Sequence, residues 1–161
     1  FAPVLRGAPS LMDPRIFRIE PMGLMDDLLS LPLEERLTYD PRENLFFVNF
    51  ERLAVKTMDD VERIRAAVER ILAPLPAKVY TIVNYDHFSI APEIVDAYTD
   101  MGKVLVDRYY FATTRYTPSN FLRMKLGDAL ARRDVAPHIY ESREEARRVL
   151  DQNRRTPAAP A

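Results

Sequence analysis

Cysteine and tryptophan are both absent from these 161 residues, and only two histidines and four glycines occur. Without cysteine there is no disulfide, no thiolate nucleophile and no cysteine-type zinc site. The two histidines, His87 and His138, have no second ligand at helical spacing, so the sequence offers no metal pattern. So few glycines, none clustered, exclude a P-loop or a dinucleotide-binding fingerprint. No apolar run approaches the roughly 18 residues that mark a membrane span. Charge of either sign is also missing in excess. With 23 basic and 24 acidic residues the net charge is -1, which gives no electrostatic footprint for nucleic acid.

What is present is a hydrophobic fraction of 47%, enough for one packed domain plus an appendage. Thirteen prolines occur, and five of them (Pro3, Pro9, Pro14, Pro21, Pro32) fall in the first 32 residues, spaced by Leu11, Ile16, Phe17, Ile19 and Met22. Proline fixes φ and removes a donor, so this stretch is expected to be an extended arm lying on another surface. A short helix is expected within Met22 to Leu37, and a polar linker over Thr38 to Asn44. At the other end, the Pro/Ala-rich run from Arg154 to Ala161 is expected to be disordered.

Beyond the linker the periodicity alternates. Leu45 to Phe50, Lys78 to Asn84 and Phe111 to Tyr116 read as strands, and His138 to Tyr140 as a brief fourth. Thr57 caps a helix whose apolar positions Val61, Ile64, Val68 and Leu72 share one face. Pro92 opens a second helix running to Tyr109. Thr117 caps a third, with Pro118 in its first turn, and Ser142 with Glu145 forms the capping box of a fourth. The order β-α-β-α-β-α-β-α predicts an α/β fold: a small, mainly parallel four-stranded sheet covered by helices. The expected organisation is an arm over 1–38, the α/β domain over 39–151 and a tail over 152–161.

Two loops hold the candidate chemistry. Asn84, Asp86, His87 and Ser89 follow the second strand, and ligands of open α/β sheets bind beyond the carboxyl ends of strands. Asp86 and His87 are placed to share a proton or position a water. The plainer alternative is a loop in which Asp86 or Ser89 holds backbone amides and His87 faces solvent. The second loop brings Arg115, Thr117, Ser119 and Asn120 to a strand end and a helix N-terminus, a setting for an anion. Its alternative is capping by Thr117 with Arg115 paired to a carboxylate. No nucleophile–base pair is visible, so no catalytic residue is assigned. Tyr109, Tyr110, Phe111, Tyr116 and Phe121 are expected to pack in the core, with a protein interface as the second choice.

Met12-Asp-Pro-Arg-Ile-Phe17 and Glu20-Pro-Met-Gly-Leu24 resemble the closing segment of the acyl-CoA:acetate/3-ketoacid CoA-transferases, of the form MDxRIFxPEPMGL. The rest of the chain looks like the additional C-terminal domain of some members. The resemblance implies a parent enzyme moving CoA between an acyl-CoA and a carboxylate such as acetate or a 3-ketoacid. Its glutamate nucleophile would lie upstream, and no residue here matches that motif, Glu20 included. Coenzyme A is then a substrate of the parent, and no cofactor is expected in this piece. The implied partner is the catalytic part of the same protein, with a homo-oligomer through the arm as a further option. A cytoplasmic location is expected, with neither a membrane span nor nucleic acid involved. The strand and helix order is also similar to sulfate-transporter/anti-sigma-antagonist (STAS) domains and to SpoIIAA-like proteins. That similarity implies a free-standing regulatory or ligand-binding domain as the alternative. Ser89 is the nearest match to the phosphorylatable residue of such regulators, without their flanking Asp-Ser pattern.

Overall fold

The structure is a computed structural model and describes residues 31–155. The Pro-spaced arm before residue 31 and the tail from residue 156 lie outside the described residues. The compact unit begins at Pro32. A 3-10 turn, Leu33–Arg36, leads into β1 (Leu37–Asp40), then β2 (Leu45–Asn49), β3 (Ala54–Val55) and α1 (Met58–Leu72). There follow β4 (Val79–Asn84), β5 (Ser89–Ile90), a 3-10 turn over Pro92–Ile94, and α2 (Val95–Tyr109). The chain ends its described course in β6 (Tyr110–Tyr116), α3 (Asn120–Ala131) and α4 (Arg143–Arg155).

The main sheet has the order β1-β2-β4-β6, with β2, β4 and β6 parallel and β1 antiparallel to β2. A mainly parallel four-stranded sheet is therefore present, but its fourth member is not the expected one. The segment read as a linker forms β1, a hairpin with β2. Asn44 closes that turn at φ 52, a left-handed backbone that asparagine tolerates better than most residues. Its side chain accepts from the Tyr39 hydroxyl at 2.7 Å and donates to Lys78 O at 3.0 Å. His138 to Tyr140 makes only an isolated parallel bridge, Tyr116 to Tyr140. Pro137 cannot donate to a ladder and Ser142 already caps the next helix, so no room remains for a strand.

The crossover helices form because their apolar residues recur on one face. Thr57 Oγ1 accepts from Asp60 N at 3.1 Å while the Asp60 carboxylate accepts from Thr57 N at 3.1 Å, a complete capping box. Ala73, followed by Pro74, ends α1. Ser119 rather than Thr117 caps α3, accepting from Leu122 N at 3.1 Å. Ser142 accepts from Glu145 N at 3.2 Å at the start of α4. That helix runs through Arg155, so residues 152–155 are helical and not part of a disordered tail.

Two cores result. One face of the sheet packs on α1, α2 and α3 through Phe46, Val48, Val83, Ile64, Val68, Met101, Leu105, Leu126 and Leu130. Among the described residues the other face meets only α4, through Leu45, Ile82, Ala112, Tyr116, Ala146 and Leu150. Tyr110 and Tyr116 are buried as expected, whereas Phe111 is 37% and Phe121 71% exposed. Among the described residues no helix is long and apolar enough to cross a membrane.

Candidate functional site

Parallel strands β2, β4 and β6 end side by side at Asn49, Asn84 and Tyr116. This is the carboxyl edge, where the fold class concentrates chemistry. Asn84 is buried, and its amide nitrogen donates to Asn49 Oδ1 at 3.1 Å. Asn84 Oδ1 accepts from Asp86 N at 2.8 Å, and Asn49 Oδ1 accepts from Glu51 N at 3.2 Å. Each asparagine thus sets the first step of the turn that follows it.

Those two turns are copies of one another. Leu53 N donates to Phe50 O at 3.0 Å, and Phe88 N donates to Tyr85 O at 3.1 Å. Their third residues, Arg52 and His87, stand at φ 61 and φ 55. The turns lie edge to edge. Phe50 N reaches Asn84 O at 2.9 Å, Arg52 N reaches Asp86 O at 3.0 Å, and Ser89 N reaches Leu53 O at 3.0 Å. The pairing then continues as the short parallel ladder of β3 and β5. Beneath it, Phe50, Tyr85, Phe88 and Tyr98 pack with ring centroids 4.9–6.2 Å apart.

The first candidate loop is thereby placed. His87 Nδ1 lies 2.9 Å from Asp86 Oδ1, with the imidazole largely exposed. Ser89 is exposed and belongs to β5, not to a helix start, because its amide is engaged by Leu53. Asn84 is a scaffold for the turn. The Tyr116 hydroxyl sits nearby with its pKa raised, first by burial and then by the charges of Glu51, Asp86 and Glu144, with Arg143 opposing.

The second candidate loop separates. Thr117 is buried, and its Oγ1 accepts from Ser119 N at 3.2 Å. Arg123 donates to Thr117 O at 2.6 Å and pairs with Asn120 Oδ1, so a cation of the same helix occupies its N-terminus. Arg115 does not join them. Its side chain is on the opposite core, 4% exposed, where Nη1 donates to Ala136 O at 3.3 Å. No described carboxylate pairs with it. It borders instead a partly open cavity of about 40 Å³ whose walls are mostly apolar, Val48, Ile64, Val68 and Leu105 among them, with Tyr85, Tyr98, Thr99, Gly102 and Tyr110. The Tyr85 and Tyr98 hydroxyls are 2.7 Å apart. Burial raises the pKa of all three phenols, and the Arg115 charge opposes it without prevailing.

Sequence reasoning missed Arg36. Its guanidinium is 1% exposed and donates from Nη1 to Asn49 O at 3.1 Å and Glu51 O at 2.7 Å, tying the 3-10 turn to the end of β2. It also missed the repeat Phe50-Glu-Arg-Leu-Ala-Val55 and Tyr85-Asp-His-Phe-Ser-Ile90, an aromatic-acid-base-apolar pattern readable in the chain. Among the described residues no three His, Asp or Glu side chains converge on a metal position. Comparison with protein-family models, with curated proteins and with solved structures finds no match for this chain.

Proposed function

We propose that this chain is the accessory C-terminal part of a cytoplasmic CoA-transferase that moves CoA between an acyl-CoA and a carboxylate such as acetate or a 3-ketoacid. Its role is docking, oligomerisation or regulation, and the chemistry belongs to the catalytic part through a glutamate outside this chain. One observation carries the reading. The polar groups at the carboxyl edge are committed to the backbone: Asn49 and Asn84 hold two turns, and Thr117 and Ser119 hold the start of α3. Groups so committed make a rigid surface rather than a set of proton carriers. The Met12 to Phe17 and Glu20 to Leu24 strings supply the link to the transferases. Asp86 and His87, on the exposed turn, are the side chains left to meet a partner.

A free-standing STAS-like regulatory or ligand-binding domain is the second reading, favoured by the partly open chamber beside Arg115. The encoding locus decides between them. The reading frame upstream of Phe1 should be continuous with a transferase catalytic region. An initiation codon directly before Phe1, with no transferase in frame, would contradict the accessory role.

A further inference from the structure

The chamber lies between the sheet and the helices that cover it. Arg115 enters from β6, Tyr85 follows β4, Tyr110 opens β6, and Tyr98, Thr99 and Gly102 come from α2. A guanidinium keeps its proton at any physiological pH, and burying that charge without a counter-charge costs several kcal/mol. Among the described residues the Arg115 side chain donates to Ala136 O and bonds the Tyr85 hydroxyl, which leaves some of its five N–H groups to spare, and no carboxylate pairs with it. The three surrounding phenols are held neutral by burial, so they supply hydroxyl dipoles but no negative charge. The space of about 40 Å³ is several times the roughly 10–15 Å³ that one water needs.

Gly102 adds a second, independent observation. Glycine within a helix costs about 0.5–1 kcal/mol relative to alanine. At Gly102 no steric reason exists for it, since a Cβ there would meet no atom within 4 Å. It borders the chamber, and its partial exposure places it towards solvent. The missing side chain leaves space open at the chamber's solvent edge.

We propose that this chamber binds one small monovalent anion, in the size range from chloride to formate, held by the Arg115 guanidinium and by hydroxyl donors from Tyr110 and from whichever of the bonded pair Tyr85 and Tyr98 keeps its hydrogen free. The site is independent of the accessory role, because it lies wholly within the α/β unit. Water alone would satisfy the hydrogen bonds but, among the described residues, leave the charge without a counter-charge.

Thermal unfolding of the purified chain in sodium salts of chloride, bromide and formate, against gluconate at equal ionic strength, tests this. Gluconate is too large to enter. Binding in hundredfold excess over its dissociation constant should raise Tm by about 5–10 °C relative to gluconate. The shift should vanish in Arg115→Met, which removes the charge, and in Gly102→Val, which keeps Arg115 and fills the chamber. A bromide-soaked crystal should show an anomalous peak beside the Arg115 guanidinium. Equal Tm values in all four salts, a shift that survives Gly102→Val, or only water beside Arg115 in the bromide crystal would each overturn the proposal. If Arg115→Met does not fold, Gly102→Val and the bromide peak decide.

Discussion

Arg36 shows how one side chain can anchor a strand from outside the sheet. Two of its bonds go to main-chain carbonyls just where β2 turns into the carboxyl edge, so removing it strands both acceptors and leaves a void. Burial lowers its pKa, and the neighbouring Glu51 charge opposes that. Replacing it by methionine should cost about 2–4 kcal/mol, read as a lower urea midpoint with an unchanged slope. An unchanged midpoint would show that the clamp contributes nothing. This residue was not legible in the sequence, because a charged side chain in a short proline-bounded stretch has no periodicity to mark it as buried. Arg115 is a related case. Its strand was read correctly, but alternation along a strand tells which side chains share a face, not which face is deeper. Tyr110, Thr113 and Thr114 are buried with it, so nothing in the local pattern marked Arg115 as pointing inward.

At the scale of elements, the helices were the most legible because their signals are local and redundant. For α1 the Thr57 cap, the acidic first turn and the i, i+3, i+4 apolar face all agree, and the structure contains each. Thr57→Ala should cost about 1 kcal/mol. The Asp60 carboxylate is held below its ordinary pKa, chiefly by the Lys56 amide and also by Thr57. A depressed carboxylate stabilises the fold above its unfolded-state pKa and loses that contribution as pH falls through its folded value. The destabilisation by Asp60→Asn should therefore be seen at neutral pH and shrink below about pH 4. A penalty independent of pH would contradict the charge-assisted cap.

The paired turns were hidden for the opposite reason. Two-residue strands are too short for a period, and neither turn contains the glycine or proline that usually announces one. The price is backbone strain at Arg52 and His87. His87→Gly should stabilise the chain by up to about 1 kcal/mol, seen as a higher Tm. A large loss of stability would instead mean that the His87–Asp86 contact holds the turn. Strand β1 was misread as a linker because Pro41 and three charged neighbours outweighed the Leu37–Tyr39 alternation.

At the scale of the molecule, the described residues cover the sheet unequally, with three helices on one face and α4 on the other. Arg143 lies over the Phe47 ring at 4.8 Å and Arg154 over the Tyr80 ring at 4.9 Å, so α4 covers flanking aromatics with its long cationic side chains. The thicker side contains the buried phenols. A group whose folded pKa is raised stabilises the fold fully below its unfolded pKa and loses that as pH rises. Their contribution should therefore be flat up to about pH 10 and stability should fall above it, with Tyr85, Tyr98 and Tyr110 ionising together with unfolding. Absorbance of phenolate recorded against circular dichroism checks this, and early ionisation of all eight tyrosines in a folded chain would contradict it.

The central proposal is that this α/β unit supports a CoA-transferase without performing the transfer. The most direct measurement is the exchange of CoA from propionyl-CoA to labelled acetate by the purified 161-residue chain. The account predicts no turnover above buffer, and none added or lost in Asp86→Asn or His87→Ala. Turnover that copurifies with the chain and falls in either variant would place the chemistry here and contradict it.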